Sequence, residues 1–264
     1  MNKNYLNYDV KTYKNGEILD SEELVVEEKA YAIFLNDEEF TSIVCSPFNL
    51  EEMAVGFLWS EGILRDKNRL KDIYVLENEN KILIDIEGFN KELETRYFMK
   101  SFNSCCGRAR TSFYYANDAI LCKKNESNIS VLDSQITKQI GLLEQKAELF
   151  EKTGGVHCAA LIEDGKVICF MEDIGRHNTL DKIAGYCFLN NISMENKIIV
   201  FTGRLSSEIV LKICKMEIPI IISRSAPTNL GIEIAKDMGI TLCGFARNER
   251  YHIYSNSYRI KASS

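Results

Sequence analysis

Two adjacent cysteines, Cys105 and Cys106, stand in the run Ser104-Cys105-Cys106-Gly107-Arg108-Ala109-Arg110, which crowds two thiols, a glycine and two guanidinium groups into one short stretch. A free thiol ionises near roughly 8.5, and a neighbouring cation favours the thiolate, so such a run enriches nucleophilic sulfur at neutral pH. The chemistry this points to is sulfur exchange. An arbitrary Cys-Cys pair is more often a small buried apolar residue beside surface-paired arginines, so the rest of the chain has to decide.

A second set of residues suits anion recognition. Three segments join an arginine to small or polar residues: Thr202-Gly203-Arg204-Leu205-Ser206-Ser207, Ser223-Arg224-Ser225-Ala226-Pro227-Thr228 and Ala246-Arg247-Asn248-Glu249-Arg250. The first two lead into predicted helices, whose free N–H groups favour phosphate oxygens together with hydroxyls and a guanidinium fork. Ser206, Ser225 and Thr228 serve equally well as helix caps. Three such loops at one sheet edge nevertheless point to a polyanionic, nucleotide-like ligand. The segment Glu172-Asp173-Ile174-Gly175-Arg176-His177-Asn178 suits either an acid/base His177 oriented by Asp173 or a plain helix start.

Other chemistries are excluded by what the motifs lack. No Gly-x-x-x-x-Gly-Lys-Ser/Thr run occurs and no Gly-x-Gly-x-x-Gly follows a strand, which disfavours a nucleoside triphosphatase or a dehydrogenase. In Gly154-Gly155-Val156-His157-Cys158-Ala159 the adjacent His and Cys are poorly spaced for a tetrahedral ion, and Ala159 stands where a zinc deaminase needs glutamate. No metal site is expected.

The elements that must position these residues follow from periodicity. With 264 residues, 45% hydrophobic and 27% charged, the chain reads as a globular protein. A net charge of −6 argues against non-specific nucleic-acid binding. The N-terminus lacks the apolar core of a signal peptide and no stretch is apolar enough for a membrane span, so a cytoplasmic location is expected. Nine cysteines, an odd number scattered mostly among apolar neighbours, are expected to be reduced thiols. Leu24 to Glu28, Tyr31 to Leu35, Ile73 to Leu76 and Lys81 to Ile86 read as strands, and Leu50 to Trp59 as a helix capped within Ser46-Pro47-Phe48-Asn49. The polar stretch Lys123 to Asn128 reads as a linker dividing an N-terminal α+β domain (1–128) from a C-terminal domain (129–264).

Beyond that stretch Ile136, Ile140, Leu143, Ala147 and Phe150 mark a long amphipathic helix behind a Ser134 cap. Strands at Cys158 to Ile162 and Val167 to Met171 flank an Asp164-Gly165 hairpin turn. Helices near 177–190, 206–216 and 228–238 then alternate with strands Lys197 to Phe201, Ile218 to Ile222 and Ile240 to Phe245, before a last strand near Tyr251 to Tyr254. Alternation of this kind implies parallel crossovers and a three-layer α/β fold that binds ligands at the carboxyl ends of its strands.

One ordered set of segments resembles the FdhD/NarQ family of formate dehydrogenase accessory sulfurtransferases. It comprises Cys45-Ser46-Pro47-Phe48-Asn49-Leu50, Ala54 to Leu58 with Glu61-Gly62-Ile63, Thr153 to His157, Glu172 to Asn178 with Leu180-Asp181-Lys182, Thr202-Gly203-Arg204, Ser225-Ala226-Pro227 and Gly244-Phe245. The resemblance implies a cytidine-deaminase-like C-terminal domain without the zinc chemistry. It also implies a cysteine that takes persulfide sulfur from a cysteine desulfurase. That sulfur passes to a molybdenum or tungsten bis-molybdopterin guanine dinucleotide cofactor, bound as substrate, before formate dehydrogenase receives it. GDP-like ligands are expected at the same site, the formate dehydrogenase apoenzyme as a partner, and a homodimer. Where the family pattern is Ser-Cys-Gly-x-Cys-Gly, this chain has Ser104-Cys105-Cys106-Gly107-Arg108-Ala109. Aligning on Cys-Gly selects Cys106, and aligning on Ser-Cys selects Cys105; the glycine after it favours Cys106. The cofactor segment carries over to Phe245, Ala246, Arg247, Asn248, Glu249 and Arg250, with Gly203, Arg204, Ser225 and His177 as further candidates.

Overall fold

The computed structural model describes residues 4–89, 121–248 and 250–263. β1 (Tyr5–Lys14) and β2 (Glu17–Val26) form a two-stranded ribbon closed by Asn15 and Gly16, both at positive φ. Next come β3 (Lys29–Leu35), β4 (Glu38–Cys45), α1 (Leu50–Ser60), β5 (Leu70–Leu76) and β6 (Lys81–Ile86). These strands make a sheet of order β4-β3-β6-β5 in which β3 and β6 are parallel. Strand alternation sends Tyr31, Ile33 and Leu35 to the same buried cluster as Ile82, Ile84 and Ile86, and Leu50, Met53, Ala54 and Leu58 of α1 close over them. The expected cap of α1 is absent. Asn49 begins the helix at a φ of 52° without a side-chain cap bond, while the Ser46 N–H donates to Asp173 Oδ2 and its Oγ accepts from the Ile174 N–H, both at 3.1 Å.

The C-terminal part starts with β7 (Val131–Leu132), α2 (Asp133–Lys146), α3 (Glu148–Thr153), β8 (His157–Glu163) and β9 (Lys166–Asp173). Asp164 and Gly165 both take positive φ, 49° and 75°, as the predicted hairpin turn requires. Then follow α4 (Arg176–Leu189), β10 (Ile198–Phe201), α5 (Ser207–Lys215), β11 (Ile220–Ser223), α6 (Asn229–Asp237), β12 (Thr241–Arg247), β13 (Arg250–Ser255) and β14 (Ile260–Lys261), the last pairing with β7. The central sheet has the order β13-β12-β11-β10-β8-β9, with β10, β11 and β12 parallel. Ile136, Ile140 and Leu143 of α2 and Leu149 of α3 cover the face that carries Cys158, Ala160, Val200 and Ile222. Leu180, Ile209 and Ala235 of α4, α5 and α6 cover the opposite face, which carries Ala159, Leu161, Ile199 and Leu242. This is the expected three-layer α/β/α arrangement. Ser134 is not the cap of α2: the helix begins one residue earlier, and Gln135 Oε1 accepts the Leu132 N–H at 3.0 Å. The stretch 123–128 is fastened to the C-terminal part, the Asn125 N–H donating to Met238 O at 2.8 Å and buried Arg259 donating through Nε to Ser127 O at 3.1 Å.

The two parts meet where α1 crosses α4, and the crossing is close because neither helix has a side chain there. A Cβ on Gly56 would stand 1.8 Å from Asp181 O, and one on Gly185 would stand 1.8 Å from Glu52 O. Buried charges surround the crossing. Asp181 accepts from Ser60 Oγ at 2.6 Å and pairs with Lys212, and Lys215 donates to Ser60 O at 2.9 Å. Lys182 and Asp173, both fully buried, pair at 2.8 Å. Among the described residues no helix is long and apolar enough to cross a membrane.

Candidate functional site at the carboxyl edge of the central sheet

The parallel strands β10, β11 and β12 end together, and the three arginine-bearing loops leave from that edge. β8 is antiparallel to β10, with Ala159 opposite Phe201, so its first residue, His157, joins the same edge. The loops are laced by short polar bonds. Thr202 Oγ1 accepts the Cys158 N–H at 2.9 Å and lies 3.4 Å from His157 Nδ1. Ser225 Oγ donates to Thr202 O at 2.8 Å, Ser223 Oγ donates to Gly203 O at 2.8 Å, and the Phe245 N–H donates to Ser225 O at 3.1 Å. Side-chain hydroxyls therefore satisfy the carbonyls of a turn that strands cannot pair. His157, Gly203, Ser225 and Phe245 thereby lie on one connected rim.

Phe245 is the most strained residue of the rim. Its φ is 52°, a region that bulky side chains rarely adopt, and its ring is 40% exposed. The strain coincides with an irregularity in the β12–β13 pairing between Gly244 and Arg247. The ring meets His252 edge-on at 5.9 Å, and His252 meets Tyr254 at 6.1 Å, so β13 continues an aromatic row. Sequence reading missed His252, although its register opposite Gly244 and its alternation with Tyr254 carry the signal. Ala246 is fully buried in the core, so only its backbone can face a ligand. Arg204, Arg247 and Arg250 are exposed, and Arg250 Nη2 lies 3.2 Å from His252 Nε2. Arg224 turns away to pair with Glu144 of α2 at 3.0 Å. Thr228 does cap α6, accepting the Gly231 N–H at 3.2 Å.

Asp173 does not orient His177. Its carboxylate is taken by Lys182, by the Ser46 and Gly175 N–H groups and by Asn178 Nδ2, while the His177 ring lies with Nε2 3.1 Å from Glu208 Oε2. The local field is positive. Burial and then the charge of Arg176 hold His157 below the usual imidazole range; Asp173 opposes this, and His177 and Arg204 add to it.

The described thiols offer no exposed sulfur. Cys45, Cys122, Cys158, Cys169, Cys187, Cys214 and Cys243 are all buried thiols that form no disulfide among the described residues. Burial pushes the Cys45, Cys187 and Cys243 thiols up to about 12. Burial likewise raises Cys158 and Cys169, and a hydrogen bond with Cys122 together with burial raises Cys214. Cys105, Cys106 and Glu249 lie outside the described residues. Among the described residues no three His, Cys, Asp or Glu side chains gather as a metal ion would need.

The model of the FdhD/NarQ family matches residues 26–261. The chain belongs to the FdhD/NarQ family. It is 39% identical over 251 residues to a protein of Bacillus licheniformis named sulfur carrier protein FdhD, covering 95% of each chain. A Staphylococcus aureus protein of the same name is 37% identical over 264 residues, covering 98% of each. The fold also resembles a solved structure from Desulfotalea psychrophila, assigned provisionally as a formate dehydrogenase accessory protein, with a TM-score of 0.79 and 28% identity over 98% of this chain and 100% of that one. Within the FdhD/NarQ family frame, the rim loops, the buried Asp173–Lys182 pair and the α1–α4 crossing all fall inside the matched span.

Proposed function

We propose that this chain is a sulfur carrier of the sulfurtransferase class. In this reading it takes persulfide sulfur from a cysteine desulfurase and delivers it to a molybdenum or tungsten bis-molybdopterin guanine dinucleotide, its bound substrate, for use by formate dehydrogenase. The Cys106 thiolate attacks the terminal sulfur of the desulfurase persulfide. A new S–S bond forms at Cys106, the old one breaks, and the desulfurase cysteine leaves as thiolate. Arg108 and Arg110 favour the ionised form of the attacking thiol. The rim of the central sheet holds the nucleotide ends: Arg204, Arg247 and Arg250 offer guanidinium forks for phosphate, and the Phe245 ring offers a face for a base. The reading includes a cytoplasmic homodimer.

The observation that carries this reading is the distribution of thiols. Seven of the nine cysteines are buried, which removes them as carriers and leaves the Cys105-Cys106 run. Relatives named sulfur carrier proteins over nearly the whole chain point the same way. The test is mass spectrometry after incubation with a cysteine desulfurase and cysteine. Wild type and Cys105→Ala gain about 32 Da on the peptide holding these residues, as a persulfide requires, and Cys106→Ala does not. An undiminished gain in the double variant refutes the carrier. No gain in wild type, with guanine nucleotide still bound, replaces the carrier with a non-catalytic cofactor chaperone.

A further inference from the structure

We propose that Cys122 and Cys214 form a redox-sensitive dithiol, which a low-molecular-weight disulfide oxidises so that the chain after Leu121 becomes bonded to α5, with Arg65 as the cation that activates Cys122. The site uses neither residue of the Cys105-Cys106 run, so it stands or falls independently of the sulfur-carrier reading.

The two thiols come from distant parts of the chain and meet in the core. Cys214 lies in the last turn of α5, and its thiol shares a hydrogen bond with that of Cys122. Each sulfur also donates to the main chain beside the other. Cys122 Sγ reaches Leu211 O at 3.6 Å, three residues before Cys214, and Cys214 Sγ reaches Lys123 O at 3.5 Å, the residue after Cys122. Contacts in both directions set the sulfurs side by side, a short approach from the roughly 2.05 Å of a disulfide. Cys169 of β9 and Cys187 of α4 make a comparison within the same molecule: Cys187 acts on Cys169 through its charge alone, with no sulfur–sulfur hydrogen bond among the described contacts.

Arg65 gives the pair a direction. Its guanidinium stacks on the Trp59 ring at 3.8 Å, and its Nε and Nη2 are buried with no hydrogen-bond partner among the described residues. Burial lowers Arg65 to about 10, and the neighbouring Cys122 and Glu217 oppose that fall. A Cys122 thiolate supplies an acceptor to these donors and is favoured by their charge. Cys122 is also the more open of the two, at 8% exposure against 2% for Cys214, so it meets the small disulfide first. The hydrogen bond with Cys122, and then burial, holds Cys214 above the usual thiol range, which suits it to act second.

The Cys122 thiolate attacks one sulfur of the small disulfide; a mixed disulfide forms and the first small thiolate leaves with the Cys122 proton. Cys214 then attacks the Cys122 sulfur, the mixed bond breaks, and the second small thiolate takes the Cys214 proton. Two electrons pass from the cysteines to the small disulfide, which departs as two thiols. The new bond falls where the two parts of the molecule meet. A Cβ on Gly62, just past α1, would stand 3.1 Å from Leu121 Cδ1, and α5 holds the α1–α4 crossing through Lys212 and Lys215. Intracellular disulfides are characteristically transient and redox-sensing, and a bond here would fix that corner while restraining a long loop of the unfolded chain.

The test is incubation of the reduced, intact protein with oxidised glutathione, followed by peptide mass mapping without reductant and by thermal unfolding. The Cys122 and Cys214 peptides become joined, lacking their two thiol hydrogens, while Cys169 and Cys187 stay reduced. The Tm rises by about 5 °C or more and falls back on reduction. Cys214→Ala shows no such rise and traps glutathione on Cys122, whereas Cys122→Ala takes up none on Cys214. Arg65→Gln slows the joining about three- to tenfold, the loss expected when an attacking thiol loses a neighbouring cation, and Arg65→Lys restores most of the rate. Trp59 is the only tryptophan in the chain and lies against Arg65, so its fluorescence follows the same reaction. A wild type whose Cys122 and Cys214 stay unjoined while other thiols take up glutathione overturns the inference. Glutathione on Cys214 in Cys122→Ala, or a joining rate unmoved by Arg65→Gln, overturns it as well. Persulfide gain on the Cys105-Cys106 peptide is read separately, so either reading can fail alone.

Discussion

Substituting Gly56 by alanine should unsettle the protein more than any other single methyl group added to α1. The new carbon would sit 1.8 Å from the Asp181 carbonyl oxygen and 2.7 Å from the Gly185 nitrogen, whereas ordinary contact begins at 3.4 Å. Both obstacles are backbone, so no rotamer change relieves them and α1 must move well over an ångström away from α4. Forced overpacking of this kind costs about 1–3 kcal/mol. The movement also stretches the Ser60 to Asp181 bond of 2.6 Å and the Lys215 to Ser60 bond of 2.9 Å, which satisfy buried charges at the same crossing. Weakening them adds about 1–3 kcal/mol for hydrogen bonds to charged groups. A total near 4 kcal/mol corresponds to a fall in Tm of roughly 8–16 °C for a chain of this size. Gly141→Ala is the matched control: it lies within α2, a Cβ there meets nothing within 4 Å, and its φ is not positive. Removing glycine's excess unfolded-state entropy from a helix should stabilise by about 0.5–1 kcal/mol. Thermal and urea unfolding followed by circular dichroism measure both. A Gly56→Ala loss below about 1 kcal/mol, or a Gly141→Ala loss of similar size, would refute the argument that backbone contact sets the α1–α4 distance.

Three other perturbations have defined outcomes. Lys182→Met leaves the Asp173 carboxylate buried without its cation and should cost about 3–5 kcal/mol in urea unfolding; Asp173→Asn combined with Lys182→Met should cost less than Lys182→Met alone, and a greater cost for the pair contradicts the buried-charge account. Titration of the native protein with a thiol reagent at pH 8 should show at most two fast equivalents, because the described thiols are buried and burial pushes Cys45, Cys187 and Cys243 up to about 12, and nine after denaturation; a third fast equivalent would show that a buried cysteine is accessible. The His157 proton signals should titrate below the ordinary imidazole value of 6.5. Because the unfolded chain takes up that proton at a higher pH than the folded one, His157 contributes full stability above 6.5 and loses it as pH falls toward the folded value. His157→Gln should flatten that part of the stability profile, and an unaltered profile would remove burial beside Arg176 as its cause.

Much of the fold was legible in the residues alone because it depends on local periodicity. The alternation in Ile82, Ile84 and Ile86, the helical recurrence of Ile136, Ile140 and Leu143, and the Asp164-Gly165 turn each specify an element whatever lies beside it. Strands alternating with helices then led to the parallel β10-β11-β12 core, and so to the edge where the arginine loops gather. Roles set by distant partners were not legible. Ser46 and Ser206 both have the chemistry of helix caps, but one is drawn to the loop at Asp173 and the hydroxyl of the other meets no partner among the described residues. Asp173 seemed placed to orient His177 four residues along, until Lys182, in the second turn of α4, took its charge.

The sequence by itself determined the order of elements, the cysteine run and the cationic loops, since these reside in residue type and short-range spacing. Only the tertiary structure decided which arginine is drawn into an ion pair, which aromatic ring stands exposed at positive φ, and why Gly56 and Gly185 admit no side chain. Those outcomes are set by which backbones and charges meet between distant parts of the chain, as where Arg224 reaches Glu144 and Gly56 meets Asp181. Burial then makes each meeting costly to change.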